Sequence, residues 1–177
     1  MTVADLNLAR SGRRFTASVA HSVAAVVAAF SRIPDDAIKL LARLSMALTF
    51  WTSGQTKITG LVIDPIGGNV EFGLPQLSES AIELFRSEYA LPLIPPEWAA
   101  YLAATAEHML PLLLLLGLAT RLSAFALLVR TLVIQIFVYP NAYPVHALWA
   151  ALLLYLMARG PGALSLDRLI AGRYTAP

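Results

Sequence analysis

The sequence predicts an all-α integral membrane protein, a four-helix bundle with an N-terminal amphipathic helix and a long extracytoplasmic loop. Three observations carry this. Hydrophobic residues make up 58% of the 177-residue chain, charged residues 14%, and the mean hydropathy is +0.67, which is more apolar surface than one soluble core of this size can hide. Four segments approach the roughly 20 apolar residues that a bilayer crossing needs. The charges are also segregated, with arginines towards both termini and carboxylates gathered in one polar segment between the first two hydrophobic stretches.

Residues 1–33 are expected to form an amphipathic arm on the cytoplasmic membrane surface, with Arg10, Arg13 and Arg14 at the headgroups and the run from Val19 to Phe30 in the interface. A signal peptide is the weaker reading, because no small-residue cleavage site precedes Asp35. The four-span domain is expected over residues 34–169. Its first span, 38–58, follows "SRIPDDAIK", where Pro34, Asp35 and Asp36 suit a helix start. An outer loop covers 59–96, and within it "LSESAIELFRSEY" offers Ser78 as an N-cap and Ile82, Phe85 and Tyr89 at helical spacing. That predicts a short helix over the mouth of the bundle. The second span, 97–118, follows "IPPEW", with Trp98 and Tyr101 as interfacial aromatics. A tight "GLAT" turn sets the third span, 122–139, antiparallel to the second. The fourth, 145–158, begins after Pro144 and is short enough that it must borrow flanking residues or thin the bilayer. Residues 170–177 form a cytoplasmic tail.

Sidedness follows from charge. The outer loop holds Asp64, Glu71, Glu79, Glu83, Glu88 and Glu97 against Arg86, whereas Arg10, Arg13, Arg14 and Arg32 precede the first span and Arg159, Arg168 and Arg173 follow the last. In a bacterial-type plasma (inner) membrane both termini are then cytoplasmic.

Several chemistries are excluded. The chain has no cysteine, so it supplies no disulfide, thiolate metal site or redox CxxC pair. His21, His108 and His146 fall on different elements without ligand spacing, so no metal site is expected. There is no phosphate-binding glycine loop, Ser-His-Asp order, dinucleotide fingerprint or flavin motif. A net charge of +2 without an aromatic-flanked basic patch gives nucleic acid nothing to bind.

The informative residues are charges in apolar surroundings. An ionisable group at the bilayer centre costs about 2.5–3.5 kcal/mol on insertion scales, so it faces the protein interior with a partner. Glu107 lies halfway along the second span and Arg130 halfway along the third. Antiparallel neighbours bring midpoint to midpoint, so Glu107 is expected to pair with Arg130 or with a basic residue of span one. His108 is rotated by roughly 100° from Glu107 and must meet a different neighbour. Pro111 cannot donate to the Glu107 carbonyl, which predicts a kink and a free acceptor, and Ala103, Ala104 and Ala106 allow close helix approach. On span one, Lys39, Arg43, Phe50, Gly54 and Lys57 share a face. Snorkelling to the interfaces is the favoured reading for Lys39 and Lys57. For Arg43, Glu107 and Arg130, a structural ion network and a functional site stand level.

Three motifs in this order resemble the DoxX family of small four-span membrane proteins. They are "ARLSMALTFWTSGQTKI" with Arg43, Gly54 and Lys57, "AEHMLPLLLLLGLATRLSA" with Glu107, Pro111, Gly117, Thr120, Arg121 and Ala124, and "ARGPGALSLDRL" with Gly160, Pro161, Gly162, Ser165, Leu166 and Asp167. The resemblance covers Asp35 to Leu169. His108 departs from the small or aliphatic residue usual after the glutamate, and the N-terminal arm is longer than the family core. The resemblance implies a membrane subunit of redox systems, since the family takes its name from a subunit associated with thiosulfate:quinone oxidoreductase and other members are linked to membrane redox complexes or oxidative-stress resistance. It makes Arg43, Lys57, Glu107 and Arg121 candidate functional residues. Arg121 has a structural alternative, capping span two, and Asp167 is expected to face the amides of its own short helix or Arg168.

The functional expectation is a membrane subunit of a quinone-linked redox system, accessory rather than catalytic alone. Glu107 would be proton acceptor or headgroup partner, and Arg43, Lys57, His108, Arg130 and Arg121 would surround a quinone or small oxidisable substrate. The expected partners are the lipid bilayer and a redox protein or second copy of the chain. Two readings compete: a non-enzymatic anchor or assembly factor for a redox or metal-handling partner, recruited through the acidic loop, and a permease that would need to oligomerise.

Overall fold

The structure, a computed structural model, describes residues 20–174. The expected arm's Arg10, Arg13 and Arg14, and the last three residues of the tail, lie outside the described residues. The chain divides into two units, Met1–Asp35 and Asp36–Pro177. In the first, helix α1 (Ala20–Phe30) exposes Val23, Val26, Val27 and Phe30, whose spacing puts them on one stripe.

The second unit is helical apart from a short stranded segment. Helix α2 (Asp35–Gln55) leads to β1 (Ile58–Thr59), β2 (Val62–Asp64), β3 (Asn69–Glu71) and β4 (Gln76–Leu77). Helix α3 (Glu79–Leu84) passes into a π-helical turn, Phe85–Tyr89, before α4 (Pro96–Leu116) and α5 (Thr120–Phe137). A 3-10 turn, Pro140–Ala142, opens α6 (Tyr143–Arg159), and α7 (Leu166–Tyr174) closes the chain, running past the expected boundary at residue 169.

Among the described residues, three helical stretches are long and apolar enough to cross a membrane: α4, α5 and Pro140–Arg159. The third is the expected short span, lengthened because the 3-10 turn continues into α6. Polarity is arranged as a bilayer demands. Leu102, Leu112, Leu115, Leu122, Phe125, Leu132 and Ile136 point outward, whereas Glu107, Thr120, Ser123 and Thr131 are buried. The chain is an integral membrane protein built from α-helices.

Helix α2 departs from the expected first span. It is as long as α4, 21 residues, but Asp35, Asp36, Lys39 and Arg43 make it too polar to stand with the other three. It runs antiparallel to α4 and displaced along it. Gln55, its last residue, bonds His108 at the middle of α4, while Arg43 bonds the carbonyls of Leu114 and Leu115 in the last turn. About 12 Å of α2 therefore precedes Arg43, and there Asp36 and Lys39 meet Gly162 of the loop after α6.

The other half of α4 is covered by the segment between α2 and α4. Phe85 packs on Ala99 and Ala100, with Leu77, Tyr89, Leu91 and Ala103 around them. Ser78 caps α3 as expected, accepting from Ala81 N at 3.1 Å. The strands were not anticipated. β1 pairs with β4, and β2 with β3 in the register Val62↔Glu71, Ile63↔Val70 and Asp64↔Asn69. The Asp64 carboxylate accepts from Ile66 N and Gly67 N and fixes the β2–β3 turn. Trp51 Nε1 donates to Ile63 O, and Ile63 N donates to Gln55 Oε1, both at 2.7 Å, which ties this hairpin to the end of α2.

Helix α4 continues through Pro111 rather than ending there. The Glu107 carbonyl that Pro111 leaves without its helical donor faces Gly54, where a Cβ would lie 3.0 Å from it. Helix α4 ends at Gly117, in the left-handed region at φ 66°, with Leu118 N donating to Leu113 O at 2.9 Å. The middle of the bundle is apolar, with Met46 and Phe50 of α2 packed with Leu114, Leu127, Leu153 and Leu156.

Candidate functional site

The apolar middle separates two polar layers, one towards the stranded segment and one towards α7. On the α7 side, buried Arg43 donates from Nε to Leu114 O (2.7 Å), from Nη1 to Pro161 O (3.0 Å) and Leu164 O (2.6 Å), and from Nη2 to Leu115 O (2.7 Å). The last carbonyls of a helix lack partners within it, so Arg43 caps α4 and holds the loop after α6 to it. Gly117 makes room for this, since a Cβ there would stand 2.7 Å from Arg43 Nη2. The Asp167 carboxylate accepts from Ala119 N (2.7 Å) and Thr120 N (2.9 Å), so it caps α5. This corrects the expectation that Asp167 faces its own helix, whose cap is Ser165, accepting from Arg168 N at 3.3 Å. Arg121 lies beside Gly160 in the same layer.

On the other side stands an ion triad. Glu107, fully buried, forms ion pairs with Arg130 through Oε1 and with Lys57 through Oε2, the latter at 2.7 Å. Ser53 Oγ donates to Glu107 Oε1 at 3.1 Å and accepts from Lys57 Nζ at 3.2 Å, and Lys57 Nζ also donates to Ser53 O at 3.0 Å. Snorkelling is thereby corrected for Lys57, whose side chain is 3% exposed. Because α2 ends level with the middle of α4, Lys57 reaches Glu107 rather than an interface. Lys39, by contrast, bonds Asp36 on its own helix at 3.3 Å.

His108 turns away from the triad, as its rotation requires. Its Nδ1 meets Ala104 O at 2.7 Å and its Nε2 meets Gln55 Nε2 at 2.9 Å. Gln55 already accepts from Ile63 N through Oε1, so its amide nitrogen donates to His108 and the His108 proton sits on Nδ1. Trp51 packs edge-on against the ring.

Arg130 opens onto a chamber of about 210 Å³ between α2, α5 and α6, whose walls include Phe50, Ser53, Tyr89, Tyr139, His146 and Trp149. Its guanidinium carbon lies 5.4 Å from the Phe50 ring centre. Its Nε is buried with no hydrogen-bond partner among the described residues. His146 Nδ1 donates to Gln135 Oε1 at 2.7 Å, an orientation fixed by Gln135 Nε2 donating to Pro140 O at 2.7 Å. Tyr139 donates its phenol proton to Glu88, and that bond raises the Tyr139 pKa above its ordinary value. Tyr89 stands edge-on to Tyr139 and completes the roof.

Of the residues singled out from sequence, Glu107, Lys57 and Arg130 come together. His108 lies beside them on another face, and Arg43 and Arg121 are held across the apolar middle. Ser53, Tyr89, Gln135, Tyr139 and His146 were missed as site residues. Gln135 and His146 did carry a signal, being polar groups inside two otherwise apolar stretches.

Comparison with curated proteins and with solved structures gave no match. A model of the DoxX family matches residues 38–140, more than half of the chain and the part that contributes Arg43, Lys57, Glu107 and Arg130. The chain belongs to the DoxX family.

Proposed function

We propose that this protein is the membrane subunit of a quinone-linked redox system and that it holds a quinone ring in the Arg130 chamber. The observation that carries this reading is the buried Arg130 Nε without an acceptor, beside an aromatic-walled polar cavity. A buried donor left unpaired costs about 1–3 kcal/mol, which an acceptor oxygen on a ligand would recover. The triad also holds two cations against one carboxylate, so the chamber favours an oxygen that carries partial negative charge.

A bound quinone would supply the capacity to take up two electrons and two protons. Arg130 orients one carbonyl, and Phe50, Tyr89 and Trp149 enclose the ring and exclude water. Glu107 lies behind this wall and does not line the chamber, so it acts on a ligand only through Ser53 and Arg130. Its roles are to position Arg130 and, as the carboxylate that accepts from Ser53 Oγ, to take up a proton relayed through that hydroxyl. The chain has no cysteine, and the electrons come from a partner protein.

Native mass spectrometry of protein extracted gently from its own membrane tests this. The expected result is a co-purifying quinone that is lost from folded Arg130→Lys and Ser53→Ala proteins. Quinone-free wild-type protein, or unchanged occupancy in both variants, would overturn the reading. The competing anchor role draws on the exposed carboxylates Glu71, Glu79 and Glu83. It predicts that a partner is lost on combining Glu71→Gln, Glu79→Gln and Glu83→Gln and retained in Arg130→Lys.

A further inference from the structure

A second cavity, of about 340 Å³, lies between α4 and α5. Ala103 and Ala106 of α4 face Ala126 and Val133 of α5 across it, and Phe85 and Leu91 roof it. Ala103, Ala104 and Ala106 of α4 were expected to allow close helix approach. On the side facing α5, Ala103 and Ala106 with Ala126 leave a cleft, and Phe85 and Leu91 fill only its roofed end. Leu102 and Val129 on its walls are exposed, so it opens towards hydrocarbon rather than water.

The cleft and the chamber share Tyr89, Arg130 and Ile134 as a common wall. The charged member of that wall is Arg130, whose Nε has no acceptor among the described residues. An apolar cleft open to lipid, divided from a polar, aromatic-walled chamber by the side chains of Tyr89, Arg130 and Ile134, matches an amphiphile with a ring at one end and a hydrocarbon chain at the other once those side chains part. We propose that the α4–α5 cleft is the tail site for an isoprenoid quinone whose ring occupies the Arg130 chamber. The proposal rests on the quinone reading above and narrows it to a lipid-soluble ligand that arrives through the membrane. A water-soluble oxidisable substrate would have no use for the cleft.

The test uses the full chain in lipid nanodiscs. A benzoquinone carrying a two-isoprene tail with a terminal diazirine is photolysed, and the labelled peptides are mapped. Binding of a tailless benzoquinone is followed in parallel by quenching of tryptophan fluorescence, to which Trp149 in the chamber wall contributes. The expected result is labelling within 99–106 and 126–134, reduced at least about fivefold in Ala103→Leu and Ala126→Leu proteins, which fill the cleft. Each variant should retain tailless-quinone affinity to within about twofold. Two cleft-filling variants are used so that misfolding of one does not decide the outcome. Ring binding with label placed elsewhere, or label unmoved by both variants, would overturn the tail site and leave the quinone reading standing. Absence of both ring binding and competable label would overturn the two together.

Discussion

Two arginines at opposite ends of the same apolar core, Arg43 buried and Arg130 partly buried, are treated differently. Arg43 directs its guanidinium at four backbone carbonyls from two segments, which engage Nε and both terminal nitrogens. Arg130 spends one nitrogen on Glu107, lies over Phe50, and leaves Nε without an acceptor beside a chamber. The difference teaches how to sort charges in a bilayer. On the proposed reading burial alone does not mark function, because Arg43 is the more buried of the two. The distinguishing mark proposed is an unpaired donor beside free space.

Breaking the Arg43 side should have the largest effect on stability. Arg43→Met leaves the end of α4 and the loop after α6 without their donor, and is expected to cost at least about 3 kcal/mol in thermal or denaturant unfolding in detergent. The triad comes next. Glu107→Gln strands two cations around a neutral amide and should cost about 3 kcal/mol. Adding Lys57→Met should return part of that loss, so the double variant is less destabilised than the sum of the singles. Strict additivity would mean that the two charges do not interact. Gly54→Ala sharpens the geometry between the layers, because its Cβ would lie 2.9 Å from His108 Cε1 and 3.0 Å from Glu107 O. Moving α2 off α4 should cost about 1–3 kcal/mol, and a variant as stable as wild type would show that the two helices are not in this contact. Asp167→Asn should have the smallest effect, about 1 kcal/mol, with hydrogen exchange accelerated at Ala119 and Thr120.

The sequence reveals the two sides unequally. The Glu107–Arg130 pair was legible because the turn between α4 and α5 is short, so the midpoints of two apolar spans had to meet. Lys57 was misplaced for the opposite reason. The length rule set the end of α2 at an interface, whereas α2 lies displaced along α4, so that its last residue meets the middle of that helix and Lys57 reaches Glu107. The expected role of Asp167 failed because local spacing cannot show that a carboxylate caps a helix 47 residues away. The chamber was out of reach for a related reason. Its walls bring together α2, the π-turn, α5 and α6, and the rotation of α6 that turns His146 inward is set by packing. The strands, each two or three residues long, fall below the length at which alternation is readable, although the Gly67–Gly68 turn between β2 and β3 did mark a hairpin.

The central claim is that Arg130, and not Arg43, meets a ligand. The most direct measurement is the affinity for tailless benzoquinone, by tryptophan quenching in nanodiscs, of wild-type, Arg130→Lys and Arg43→Lys proteins, with unfolding followed on the same samples. Lysine keeps each charge and removes the planar fork. The account predicts that Arg130→Lys weakens binding at least about tenfold while losing no more than about 1 kcal/mol of stability, and that Arg43→Lys loses stability with its affinity intact. Unchanged binding in Arg130→Lys, or an affinity that follows Arg43 instead, would contradict it.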